Sequence, residues 1–328
     1  MNFKTFLENI QRTVNESLPG NLRAELKAVQ KNNGTVYTGL TLTGLEACSP
    51  PGIVASPIIY LEEFYQRYLH QHEICHDGEE CRLAEYCPVR EDVSKGRLRE
   101  EERSVYPCLN AFGKAIAELL VTHLRNAPKV TDVSDYDAVK KRLFVQLVGR
   151  DANGSRLKDA ARHEYLDMTV IYYLLYEGPD KDTGGVRVTW DMLGDWGIAE
   201  DLLYRDAIEN TREMMGEKLL RFDQDPERFG LDVPESRMMV LSNEKNFFGA
   251  SVLLYSEELG RIAEEFQRDL YVLPSSIHEV ILLPEGGQDP EALRATVRRV
   301  NETEVRKEEV LTDSVYLYDR ERREVRIA

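Results

Sequence analysis

Potential ligands for a borderline metal crowd one stretch of this chain: His70, His72, Cys75, His76, Cys81 and Cys87, with Cys108 further on. Zinc is held by four Cys or His side chains in a tetrahedron, so Cys75, Cys81, Cys87 and either Cys108 or His76 can close a structural site. The spacing C-x5-C-x5-C lacks the tight C-x2-C knuckles of zinc ribbons. The plainer reading, reduced thiols in a flexible arm, therefore stands beside the zinc reading. The odd count of five Cys adds a modest argument against a disulfide framework.

A second crowding falls at Ser275, Ser276, His278 and Glu279. A hydroxyl, an imidazole and a carboxylate are the parts of nucleophilic catalysis, with Ser276 attacking, His278 as base and Glu279 as orienting acid. Serines after a proline also commonly tie turns through backbone hydrogen bonds, and no strand-to-helix elbow of the G-x-S-x-G type is present. Neither GxxxxGK[ST] nor GxGxxG occurs, so the ordinary nucleotide-binding loops lose support. His123 and His163 read as a packed residue and a turn neighbour. Tyr165, Tyr172, Tyr173 and Tyr176 are either the lining of a groove for a peptide or partner, or half-buried sheet aromatics, the commoner outcome.

The elements that must carry these residues are read from the spacing of apolar side chains. Phe3, Phe6, Leu7, Ile10 and Val14 recur on one helical face, and Pro19-Gly20 ends that helix. Two strands follow around Asn32-Asn33-Gly34. Ser56 then reads as the cap of a helix with Pro57 in its first turn, striped by Ile58, Leu61, Phe64, Tyr65 and Tyr68. Residues 70–108 break the rhythm and read as an irregular insertion. A helix striped by Ala115, Ile116, Leu119, Leu120 and Leu124 closes a region of α-β-β-α character over residues 1–130.

Residues 131–328 read as a second α+β region. Strands are expected at 143–148, 165–176 and 186–190, and a helix through Ile198, Leu202, Leu203 and Ala207. Further strands are expected at 238–241, 270–273 and 279–283, the last two joined through Pro274-Ser275-Ser276, with a final pair at 314–318 and 324–327. Ser256 and Asp289 read as helix caps. The order implies mainly antiparallel sheets with helices packed on one face, an α+β class, and allows two similar layered halves.

Composition bounds the rest. The chain of 328 residues is 42% apolar and 30% charged, enough to bury a sizeable core without disulfides. No apolar run approaches the roughly 18 residues of a membrane span, and the first residues carry Lys4, Glu8 and Arg12 in a helical pattern, so a cytoplasmic protein is expected. With 42 Lys plus Arg against 58 Asp plus Glu, the net charge of -16 repels phosphate backbones, and no nucleic-acid partner is expected.

Five phrases, VYTGLTL, SPIIYLEEFYQRY, DMTVIYYLLYEG, YVLPSSIHEVILLPE and LTDSVYLYD, together resemble an uncharacterised bacterial family, domain of unknown function family 5688. The resemblance covers roughly residues 1–69 and 110–328, leaving the Cys/His-rich stretch as a departure from the family pattern. It implies a cytoplasmic protein of anaerobic gut-type bacteria, often encoded near mobile elements, and it transfers no catalytic residue. The expected function is therefore protein binding, as an adaptor rather than an enzyme. The alternative is a hydrolase using Ser276 and His278, or a metal-dependent site in the Cys/His-rich arm. Oligomeric state is not legible.

Overall fold

The computed structural model describes residues 1–44, 53–54, 57–76, 106–126, 129–130, 133–177, 183–222 and 238–328. The chain divides into two compact units. One contains residues 1–30 and the described part of 36–132, the other residues 31–35, 133–176 and 183–328.

In the first unit, α1 (Phe3–Ser17) starts at Asn2, whose side chain accepts the Thr5 N–H at 2.9 Å and so satisfies a donor that a helix start leaves unpaired. Its stripe of Phe6, Ile10 and Val14 is fully buried. Strands β1 (Arg23–Gln30) and β2 (Val36–Thr43) pair antiparallel, with Ala24 opposite Leu42 and Leu26 opposite Leu40. The alternate residues Arg23, Glu25 and Lys27 are exposed, so this sheet buries one face. Strand β3 (Ile53–Val54) precedes β4 (Ile58–Tyr60).

The expected helix start before Leu61 is corrected here. Ser56 lies outside the described residues, and Ile58, Ile59 and Tyr60 pair with Thr41, Leu40 and Gly39 of β2 as a third strand. Three β-branched or aromatic residues in succession suit a pleated edge, where Ile59 joins the core. Helix α2 (Leu61–His76) begins only afterwards, with Glu62 and Glu63 at its positive end. Helix α3 (Tyr106–Asn126) buries Leu109, Phe112, Ile116 and Leu120 against the same core, whereas Leu119 is exposed. Where α3 meets α1, a Cβ on Gly113 would lie 2.4 Å from Thr13 Cγ2, so only glycine permits that approach. Strand β5 (Lys129–Val130) pairs with β3.

The second unit runs α4 (Tyr136–Val139), β6 (Leu143–Gly149), α5 (Arg150–Asn153), β7 (Arg162–Tyr165), β8 (Met168–Glu177), β9 (Thr183–Arg187), α6 (Trp190–Trp196) and α7 (Glu200–Met215). It continues with β10 (Lys218–Phe222), β11 (Met238–Ser242), α8 (Glu258–Phe266), β12 (Leu270–Ser276), β13 (Glu279–Pro284), α9 (Pro290–Thr303), β14 (Tyr316–Asp319) and β15 (Glu324–Ile327). One sheet has the order β6-β8-β7, with β9 also on β8. All seven residues of β6 are buried, and α7 locks onto it where the Val145 N–H donates to Thr211 Oγ1 at 3.0 Å.

The other sheet is six-stranded and antiparallel, in the order β10-β11-β13-β12-β14-β15. Tyr271, Leu273, Leu283 and Leu317 on one face pack with Leu293 and Val297 of α9. Met239, Leu241, Val272 and Leu282 on the opposite face are buried as well. The α+β class with antiparallel sheets stands: α9 packs on one face of this sheet, and its other face is buried as well. Pro274 sits inside β12 rather than in a turn. Its missing N–H costs no ladder bond because β14 pairs only with Leu270–Val272. A bulge follows, and the connection to β13 is Ile277-His278.

Candidate functional site

The β12–β13 hairpin brings Ser275, Ser276, His278 and Glu279 together and binds each of them into the turn. Ser276 Oγ accepts the His278 backbone N–H at 3.0 Å, and Ser275 Oγ donates to Glu279 Oε1 at 3.3 Å. The His278 ring turns the other way. Its Nδ1 accepts the Phe248 N–H at 3.2 Å, its face stacks on Phe248 at 5.7 Å, and its Nε2 lies 4.0 Å from Glu309 Oε1. A neutral imidazole has one acceptor nitrogen, and here that nitrogen already holds a backbone amide. The Ser276 hydroxyl is held by the turn and the His278 ring faces Phe248, so the two do not meet in this hairpin.

Cys75 and His76 close α2, and Cys108 lies in the first turn of α3. Cys81 and Cys87 are outside the described residues. Among the described residues no group of three or more His, Cys, Asp or Glu side chains is placed to hold a metal. The four tyrosines do not line one groove either, since alternation along β8 sends Tyr172 and Tyr176 to one face and Tyr173 to the other.

Two clusters escape sequence reading. In the first, β7 supplies His163, β8 Tyr172, and the first turn of α7 Glu200, with Tyr204 one turn further on the same helix face. His163 Nδ1 lies 3.3 Å from Glu200 Oε2, and the Tyr172 hydroxyl donates to Glu200 Oε1. The His163 ring packs 4.3 Å from that of Tyr204. Burial, and then the hydrogen bond to Glu200, hold the Tyr172 phenol well above its ordinary range, while burial pushes Tyr165 up to about 12. Both phenols stay protonated, and that of Tyr172 serves as a donor. Glu200, 20% exposed, stands against Nδ1 of the 37% exposed His163, a carboxylate–imidazole pairing of the kind used in proton transfer.

In the second cluster, Asp167 at the β7–β8 turn accepts from Ser314 Oγ at 2.6 Å and from the Tyr316 hydroxyl at 2.5 Å. Thr312 Oγ1 lies 2.8 Å from the same hydroxyl. Tyr316 is fully buried, and this set pins the phrase DMTVIYYLLYEG to LTDSVYLYD. A polar depression of about 300 Å³ lies elsewhere, between Lys140 and Lys141 and the α7 residues Arg205, Asp206, Glu209 and Asn210, with charges of both signs.

Fold and clusters define an α+β protein with antiparallel sheets. The chain belongs to a family described as a family of unknown function, DUF5688, whose model matches residues 3–82 and 101–320. No curated protein and no solved structure matches it. The match reaches further than the phrases suggested. It takes in His70, His72, Cys75, His76, Cys81 and Cys108, so of the predicted ligands only Cys87 falls outside it. No helix of the described residues is long and apolar enough to cross a membrane.

Proposed function

We propose that the protein acts by binding another protein, as an adaptor, through an edge of its six-stranded sheet. The observation that carries this reading is that both outer strands, β10 and β15, pair on one side only among the described strands, and each exposes a large apolar side chain, Leu220 and Ile327. An open strand edge offers main-chain donors and acceptors to an added strand, and the flanking side chains select it. Around β15 the arginines Arg322, Arg323 and Arg326 discourage self-pairing of two such edges. They also favour an extended partner segment that carries acid.

The test is light scattering and crosslinked pull-down from the host with the full chain and with Ile327→Glu. Capture of a defined protein by the parent chain, weakened about tenfold or more in the variant at unchanged thermal stability, is the expected result. A monomer that captures nothing at native abundance, or a variant that captures as well as the parent, removes the reading.

A second reading rests on the His163–Glu200 pair, the arrangement best suited to acid–base chemistry. It supplies a general base without a nucleophile among its contacts, so an enzyme built on it would activate water or a substrate proton. Hydrolase activity that survives Ser276→Ala and falls with His163→Gln would favour it.

A further inference from the structure

In a chain of net charge -16, two arginines stand together without a carboxylate. Arg156 follows α5 and Arg187 ends β9. The Arg187 Nη1 donates to the Arg156 carbonyl at 3.3 Å, and Arg156 Nη2 reaches the Tyr173 hydroxyl at 3.5 Å. Both side chains are half-buried, and Arg156 Nη1 and Arg187 Nε are shielded from solvent with no hydrogen-bond partner. Among the described residues neither guanidinium meets an acid.

A buried charged donor left unpaired is among the costlier features a fold can retain. Here two occur side by side. The surroundings are built to hold them. Gly185, two residues before Arg187 and on the same strand face, would carry a Cβ 3.3 Å from Tyr173 Cδ1, so its lack of a side chain lets the phenol ring lie against β9. Tyr173 is held from its other side by Phe144, 5.3 Å away and stacked. Its hydroxyl receives Arg156 and keeps its own proton to donate. Arg156, Arg187 and Tyr173 thus each offer a donor here, and two of the three are cationic.

We propose that Arg156, Arg187 and Tyr173 form a binding site for a phosphate group, free or as a monoester. Two planar forks and a hydroxyl match an oxyanion that accepts several hydrogen bonds, and the paired positive charges match a dianion. Because both arginine side chains are partly exposed, rotation about their terminal bonds brings the shielded N–H groups to an entering anion without opening the core. This site is independent of the sheet-edge reading.

The experiment is calorimetric and thermal-shift titration of the full chain with inorganic phosphate and, separately, O-phosphoserine, against chloride at matched ionic strength. A saturable rise in melting temperature with phosphate or phosphoserine, absent with chloride, is expected, and the stronger of the two assigns the source as free anion or monoester. Arg156→Gln and Arg187→Gln should each weaken binding by about tenfold or more. Arg187→Lys keeps the charge and loses the fork, so an intermediate loss separates recognition from simple attraction. Should the glutamine variants fold poorly, phosphorus NMR line broadening of phosphate by the parent chain decides alone. Phosphate that acts no differently from chloride, or variants that bind as the parent does, would overturn the site.

Discussion

At the scale of single residues, the tyrosines show how burial turns a titratable group into a fixed donor. Burial pushes Tyr165 and Tyr255 up to about 12, and burial with a carboxylate acceptor raises Tyr172 and Tyr316 further. In the unfolded chain tyrosine loses its proton near about 10, so above that pH the unfolded state binds fewer protons than the native one and stability falls as pH rises. Below about 10 both states keep the proton, and the contribution is whole. Denaturant midpoints should therefore hold steady in this respect up to about pH 10 and decline beyond it, while phenolate absorbance of the native protein lags that of the denatured chain. If all 16 tyrosines titrated together near the ordinary value in the native protein, the buried hydrogen bonds to Glu200 and Asp167 would be refuted. Sequence reading singles out His163, Tyr165 and Tyr172 but neither Glu200 nor Asp167, and pairs none of them. His163 and Glu200 are 37 positions apart, and Asp167 and Ser314 are 147 apart, so only the tertiary fold joins them. Ser276 and His278 were legible as neighbours because two positions separate them, yet proximity in sequence did not fix which way the imbidazole would face.

At the scale of elements, what could be read was local. Asp289 before Pro290 caps α9 as its spacing predicts, accepting the Glu291 N–H at 3.1 Å, because cap chemistry needs only adjacent residues. Pro274-Ser275-Ser276 misled for the converse reason: turn-forming residue types occupy a strand end whose fitness depends on where β14 stops. The segment from Gly249 to Leu254 likewise carries no periodic signal, since nearly all of it is buried. Gly249 is the test of that packing. A Cβ there would lie 2.1 Å from Ser242 Oγ and 2.3 Å from the His278 carbonyl oxygen. The serine can rotate, but the carbonyl belongs to a turn held by the Ser242 and Ser276 hydroxyls. Gly249→Ala should therefore destabilise the fold by about 3 kcal/mol, the upper range for overpacking, whereas Gly154→Ala, with open space around it, should change little. Equal denaturant midpoints for the two variants would show that the β12–β13 turn is softer than its hydrogen bonds imply.

At the scale of the whole molecule, composition and strand inventory led to the α+β class, but the order of strands in the six-stranded sheet was not legible. That order places β13 between β11 and β12, and β12 between β13 and β14; β12–β13 is a local hairpin, whereas β11–β13 and β12–β14 are longer-range choices made by side-chain fit. It also grades the stability of the backbone. Strands β12 and β13 are paired on both sides and buried on both faces, whereas β15 is paired on one side and largely exposed. Native-state hydrogen exchange should accordingly be slowest in β12 and β13, approaching global unfolding, and fastest within this sheet at the outer amides of β15. Addition of a captured partner should slow β15 selectively, because an added strand accepts from those amides and leaves the central ladder unchanged. If β15 exchanged as slowly as β12 in the isolated chain, its edge would already be covered, and a partner strand would have no main-chain groups left to pair.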